Sequence, residues 1–120
     1  VILDNKSRTL KPRSGRKNPT KSDEELDEYL RQLYLYSYIV ETVDKKPISC
    51  LGFNCFRCNP NMIVEPFVQE KADSAVKWLT DNVARITKET EFQPDMDYFK
   101  CANLCDMHEH CEYFQMTWGK

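Results

Sequence analysis

Two tight cysteine clusters, Cys50/Cys55/Cys58 and Cys101/Cys105/Cys111, carry most of the chemistry this 120-residue chain could perform, and 42 cysteine-free residues separate them. Thiols at such spacing can form disulfides, bind a soft metal or run thiol exchange. An even number of cysteines in a short chain reads first as a disulfide framework, which persists in secreted or luminal compartments. Pairing each cysteine of one cluster with one of the other leaves six connectivities of the 15 that six cysteines allow. Each crosslink would close a loop of about 50 residues, worth about 4 kcal/mol for a single bond in the chain-entropy treatment.

The other two chemistries are weaker. Cys55-Phe56-Arg57-Cys58 has the spacing of thiol oxidoreductases, but no hydrophobic strand is evident before it and Asn59-Pro60 interrupts the helix start that would activate the thiol. Zinc could draw on Cys55/Cys58 with Cys101/Cys105, or with His108, His110 and Cys111. Cys101-x3-Cys105 is wider than the usual knuckle, and six cysteines need a role, so neither metal nor cofactor is expected. Cys105 to Cys111 also places His108 among acidic residues in the manner of secreted phospholipases A2, without the glycine-rich calcium loop that chemistry needs. No other catalytic constellation is evident.

The run Phe92-Gln93-Pro94 through Tyr98-Phe99-Lys100-Cys101-Ala102-Asn103-Leu104-Cys105, continuing to Cys111 and Phe114, resembles the PAN/apple module, within residues 92–116. That resemblance implies an extracellular adhesion module with a helix, a following strand and a Cys105–Cys111 pairing.

Three helices must position these groups. Ser22 with Glu25 three residues on predicts a capping box opening a helix over 23–42, whose face is Leu26, Tyr29, Leu30, Leu33, Ser37 and Val40. Tyr34, Tyr36 and Tyr38 broaden that face and are the candidate partner surface. Pro66 suits the first turn of a second helix over 66–89, with apolar residues from Val68 to Ile86 near a period of 3.6. Asp95 or Asp97 can cap a third helix through about residue 107. Phe114, Met116 and Trp118 alternate, as in a short strand. Residues 48–62 read as a loop. The fold class expected is mainly α: a small disulfide-stapled three-helix domain, residues 22–120, with room for a short C-terminal strand.

Residues 1–21 read as a flexible basic arm. They carry seven basic residues against the single Asp4, while residues 22–120 carry ten basic and eighteen acidic residues, so the net charge of −2 conceals a strong segregation. The arm could meet a heparan-like polyanion, and Arg13, Arg16 and Lys17 form a convertase-like processing motif. It lacks interleaved aromatics, which argues against nucleic acid. Asn5-Lys6-Ser7 is a glycosylation sequon. No run is apolar enough to span a membrane. Val1 opens the chain with no visible leader, so a mature chain or excised fragment is expected.

Together these features predict a secreted, non-enzymatic binding factor, hormone-like, effector or receptor-interacting, held rigid by three disulfides and meeting an extracellular protein or receptor. A PAN/apple-like adhesion module and a zinc-stabilised intracellular module are the alternatives.

Overall fold

The computed structural model describes residues 1–119 and divides into two compact units, Val1–Ile86 and Thr87–Lys120. The first is α/β. Strand β1 (Ile2–Lys6) pairs in parallel with β2 (Cys50–Cys55), which pairs antiparallel with β3 (Met62–Pro66), giving the sheet order β1-β2-β3. Parallel neighbours cannot be joined by a tight turn. Here the connection carries helix α1 (Lys21–Val43), and helix α2 (Gln69–Lys88) follows β3.

The mainly α expectation is therefore corrected: the predicted loop 48–62 holds β2 and the start of β3, and the arm contributes β1. Alternation explains the sheet. Leu51, Phe53 and Cys55 project to one face and are buried, and Ile63 of β3 joins them. That face packs on Leu26, Leu30 and Leu33 of α1, with Ala72 and Ala75 of α2 and Leu10 completing the core. Tyr29 meets Phe53 edge to face at 6.3 Å between centroids. Gly52, on the other face of the central strand, permits close approach: a Cβ there would lie 2.8 Å from the Ile63 carbonyl oxygen.

Helix α1 is the element the sequence predicts best, but its cap differs. Thr20, not Ser22, is the N-cap, and Asp23 rather than Glu25 closes the capping box. The Asp23 carboxylate also accepts from the Ser14 hydroxyl at 2.6 Å and the Ser14 N–H at 2.7 Å, which ties residues 13–14 to the helix start. Arg13 completes this strap, bridging Asp27 of α1 at 2.6 Å and Glu65 of β3 at 2.7 Å. Pro66 ends β3 instead of opening α2, which starts three residues later.

In the second unit, α3 (Tyr98–Asn103) is capped by Asp97, whose side chain accepts from the Lys100 N–H. A 3-10 turn, His108–His110, leads into α4 (Glu112–Trp118). The predicted C-terminal strand is thus a helix. Phe114 and Trp118, four apart, fall on one face and meet at 5.5 Å, and Tyr98 packs on both at 6.5 and 5.4 Å. Of the alternating set, Phe114 and Trp118 suit the helical period, whereas Met116 lies off that face and is 84% exposed.

The disulfide staple is also corrected: all six cysteines are free thiols. Core burial and the strap hold the first unit without them.

The Ser14 and Thr20 donors hold the Asp23 carboxyl well below the usual carboxylate range. A depressed folded pKa adds stability that is complete above the ordinary carboxylate value of about 4 and is lost as pH falls through the folded value. The melting temperature of the wild type should exceed that of Asp23→Asn at pH 7, with the gap closing below about pH 4. An unchanged gap down to pH 2 would contradict this role of Asp23.

Candidate functional site

Alternation along β1 places Ile2, Asp4 and Lys6 on the face toward α1, opposite Leu51, Phe53 and Cys55 of β2. Glu25, Tyr29, Gln32 and Tyr36 recur every three or four residues, so they line one stripe of α1. The two rows meet. Lys6 Nζ donates to Gln32 Oε1 at 3.3 Å, and Gln32 Nε2 donates to the Tyr36 hydroxyl at 2.7 Å. The same ammonium lies 5.0 Å from the Tyr29 centroid and 5.9 Å from that of Phe53, within cation–π range. Arg8, at the end of the row, pairs with Glu25 and lies 5.6 Å from the Tyr29 centroid.

Asp4 is the unusual member. Its Oδ2 lies 2.7 Å from Lys6 Nζ as an ion pair, yet the angles do not make a hydrogen bond and this buried oxygen has no hydrogen-bond donor. The Lys6 ammonium offsets the charge of this buried oxygen, while its hydrogen-bonding capacity stays open. The side chains of Lys6 and Asp4 remain 19% and 28% exposed, although Oδ2 itself is buried. Among the described residues no three His, Cys, Asp or Glu side chains gather as a metal cage. Asp4 therefore offers a single carboxylate beside a fixed ammonium, a phenol and an amide. The spacing Asp4-x-Lys6 and Gln32-x3-Tyr36 was present in the sequence, but Asp4 and Lys6 counted only as charges in an arm.

The residues singled out from sequence are dispersed. Tyr34 is 4% exposed, packs on Phe67 at 5.5 Å and accepts the Val68 N–H at 3.3 Å, so it is core. Burial pushes its phenol pKa up. Tyr36 belongs to the Lys6 cluster, and Tyr38 is exposed. Arg13 is committed to Asp27 and Glu65, which raise its pKa further above the ordinary arginine value, while Arg16 and Lys17 are exposed. Asn5 is exposed on the far face of β1, where its Oδ1 accepts from Asn54 Nδ2 at 2.9 Å. Cys50, Cys55 and Cys58 lie in the first unit; Cys101, Cys105 and Cys111 lie in the second. Cys55, the partner of Lys6 across the ladder, is fully buried.

A groove of about 500 Å³ between α1 and α2 is lined by Asp27, Arg31, Glu70, Lys71 and Trp78, with the Arg31 guanidinium 4.6 Å from the Trp78 centroid. Its two cations are matched by two anions. Among the described residues no helix is long and apolar enough to cross a membrane.

No protein-family model, curated protein or solved structure matches the chain.

The placement of the tyrosines gives a direct test. Tyr34→Ala should cost about 3–5 kcal/mol in urea denaturation, as truncation of a buried aromatic does, whereas Tyr38→Ala should stay within about 0.5 kcal/mol. The reverse ranking would contradict this face assignment.

Proposed function

We propose that the Asp4–Lys6 cluster is a phosphodiester-hydrolysing site that works with a divalent cation, and that nucleic acid is its substrate class. The observation that carries this reading is the buried Asp4 Oδ2, without a hydrogen-bond donor and 2.7 Å from a lysine ammonium on an edge strand. Magnesium is commonly held by one or two carboxylates together with substrate phosphate oxygens and waters, so one aspartate suffices when the substrate brings the remaining ligands. A cation so placed supplies charge neutralisation at the phosphate and a bound water of lowered pKa.

Lys6 is the electrostatic partner. Gln32 and the Tyr29 and Phe53 rings fix its ammonium, which would donate to a non-bridging phosphate oxygen as negative charge accumulates there in the transition state. The fixed position means little reorganisation when that charge appears. Water would attack phosphorus and give up a proton to solvent as the bond to the leaving oxygen breaks, and that oxygen would depart with a proton from solvent. Tyr36 orients Gln32, which in turn orients Lys6, so both are positioning residues.

Two features favour a polymer. The cluster stands on an edge strand, and residues 1–21 carry seven basic residues against Asp4. Tyr36, exposed beside Gln32, is the aromatic side chain on which a base could stack. The secreted, receptor-binding reading depended on a disulfide clamp and a three-tyrosine surface, and Tyr34 is core.

The test is cleavage of end-labelled single-stranded and duplex oligonucleotides in magnesium or manganese, against a chelator control. The wild type should cleave, and Lys6→Ala and Asp4→Asn should each be slower by about 10²-fold or more, the loss typical of one transition-state stabiliser. No cleavage with either cation, or variants as fast as the wild type, would overturn the assignment.

A further inference from the structure

The turn that joins β2 to β3 holds a second piece of chemistry, independent of the proposed hydrolysis. We propose that Cys55 and Cys58 are a reversible dithiol/disulfide pair that reacts with low-molecular-weight disulfides through Cys58. Of the two sequence arguments against thiol chemistry, the turn at Asn59-Pro60 in place of an activating helix stands, but the other was the lack of a strand before the CxxC motif. The structure supplies that strand: Cys55 is the last residue of β2.

Geometry brings the two sulfurs together. The Cys58 N–H donates to the Cys55 carbonyl oxygen at 2.8 Å, closing a four-residue turn. Such a turn holds its end Cα atoms within about 7 Å, the range a disulfide requires. The Cys50 Sγ accepts from the neighbouring Ser49 hydroxyl at 3.8 Å.

The environments of the two thiols differ in a way that assigns roles. Cys55 is fully buried against the core, while Cys58 is half-exposed. The Leu10 N–H donates to Cys58 Sγ at 3.3 Å. Burial, followed by the Cys58 contact, pushes the Cys55 thiol pKa up. Cys58 is thus the group an incoming disulfide can reach, and Cys55 is the resolving thiol.

With oxidised glutathione the step balances as follows. The Cys58 thiolate attacks one glutathione sulfur, the glutathione disulfide bond breaks, and one glutathione thiolate leaves. Cys55 then loses its proton and attacks Cys58 Sγ, expelling the second glutathione. Two protein thiols have been oxidised to one disulfide and one glutathione disulfide reduced to two thiols. Leu10 and Arg8, whose backbones meet Cys58 Sγ at 3.3 and 3.9 Å, immediately follow the strand that carries Lys6. Oxidation of Cys58 therefore bears on its contacts with residues 8 and 10.

The test is differential alkylation with peptide mass mapping of the whole chain after graded oxidised glutathione. In the wild type, Cys55 and Cys58 should lose alkylation together, yielding a peptide short of two hydrogens, before Cys50 is affected. Cys55→Ser should accumulate a glutathione adduct at Cys58, and Cys58→Ser should leave Cys55 unmodified while circular dichroism shows the fold retained. A wild-type Cys55 and Cys58 that remain alkylated after Cys50 has reacted would overturn the proposal. So would glutathionylation of Cys55 in folded Cys58→Ser.

Discussion

The parallel pairing of β1 with β2 is the constraint on which the rest of the first unit depends. It joins Ile2–Lys6 to Leu51–Cys55 across more than forty intervening residues, and α1 lies within that connection. One register decides everything at the site. A shift by one residue would turn Asp4 and Lys6 away from α1 and bring Leu3 and Asn5 in their place, because side chains alternate along a strand. With the observed register, Lys6 reaches Gln32 and two aromatic rings, and it stands opposite Cys55.

Closing so long a connection costs chain entropy, and two kinds of interaction offset it. Leu51, Phe53 and Cys55 bury against the leucines of α1, at about 25 cal/mol for each Å² of apolar surface removed from water. The strap then fixes the segment between strand and helix, with Arg13 joining α1 to β3 and Asp23 gathering Ser14 and Thr20. These partners are polar and charged. They sit where the sequence shows a run of basic residues, and the same run that reads as a solvated arm is in part a set of fastenings.

What was legible in the sequence follows from what is local. Helices α1 and α2 were predicted because their apolar residues repeat every three to four positions, and that pattern requires no knowledge of the partner. The sheet was hidden for physical reasons. Ile2–Lys6 has two apolar residues among five and lies in a charged segment, and its pairing is wholly non-local. Cys50–Cys55 contains glycine, asparagine and two cysteines, residues that elsewhere mark a loop, although Leu51, Phe53 and Cys55 keep strict alternation. Tyr34, Tyr36 and Tyr38 could not be sorted by spacing alone: Tyr34 faces Phe67, Tyr36 faces Gln32 and Tyr38 faces solvent. The candidate site was half legible. Asp4-x-Lys6 and Gln32-x3-Tyr36 each show the period of their own element, but only the fold shows that the two rows meet.

The central claim is that Asp4 Oδ2 is a cation ligand beside a phosphate-binding lysine, and paramagnetic broadening by manganese tests it most directly. Backbone amide spectra of the isotopically labelled protein would be recorded with a phosphorothioate dinucleotide present and manganese added in small steps. The account predicts that resonances of residues 3–7 broaden first and that Asp4→Asn abolishes this effect. Broadening centred elsewhere, or the same pattern around β1 in Asp4→Asn, would contradict it.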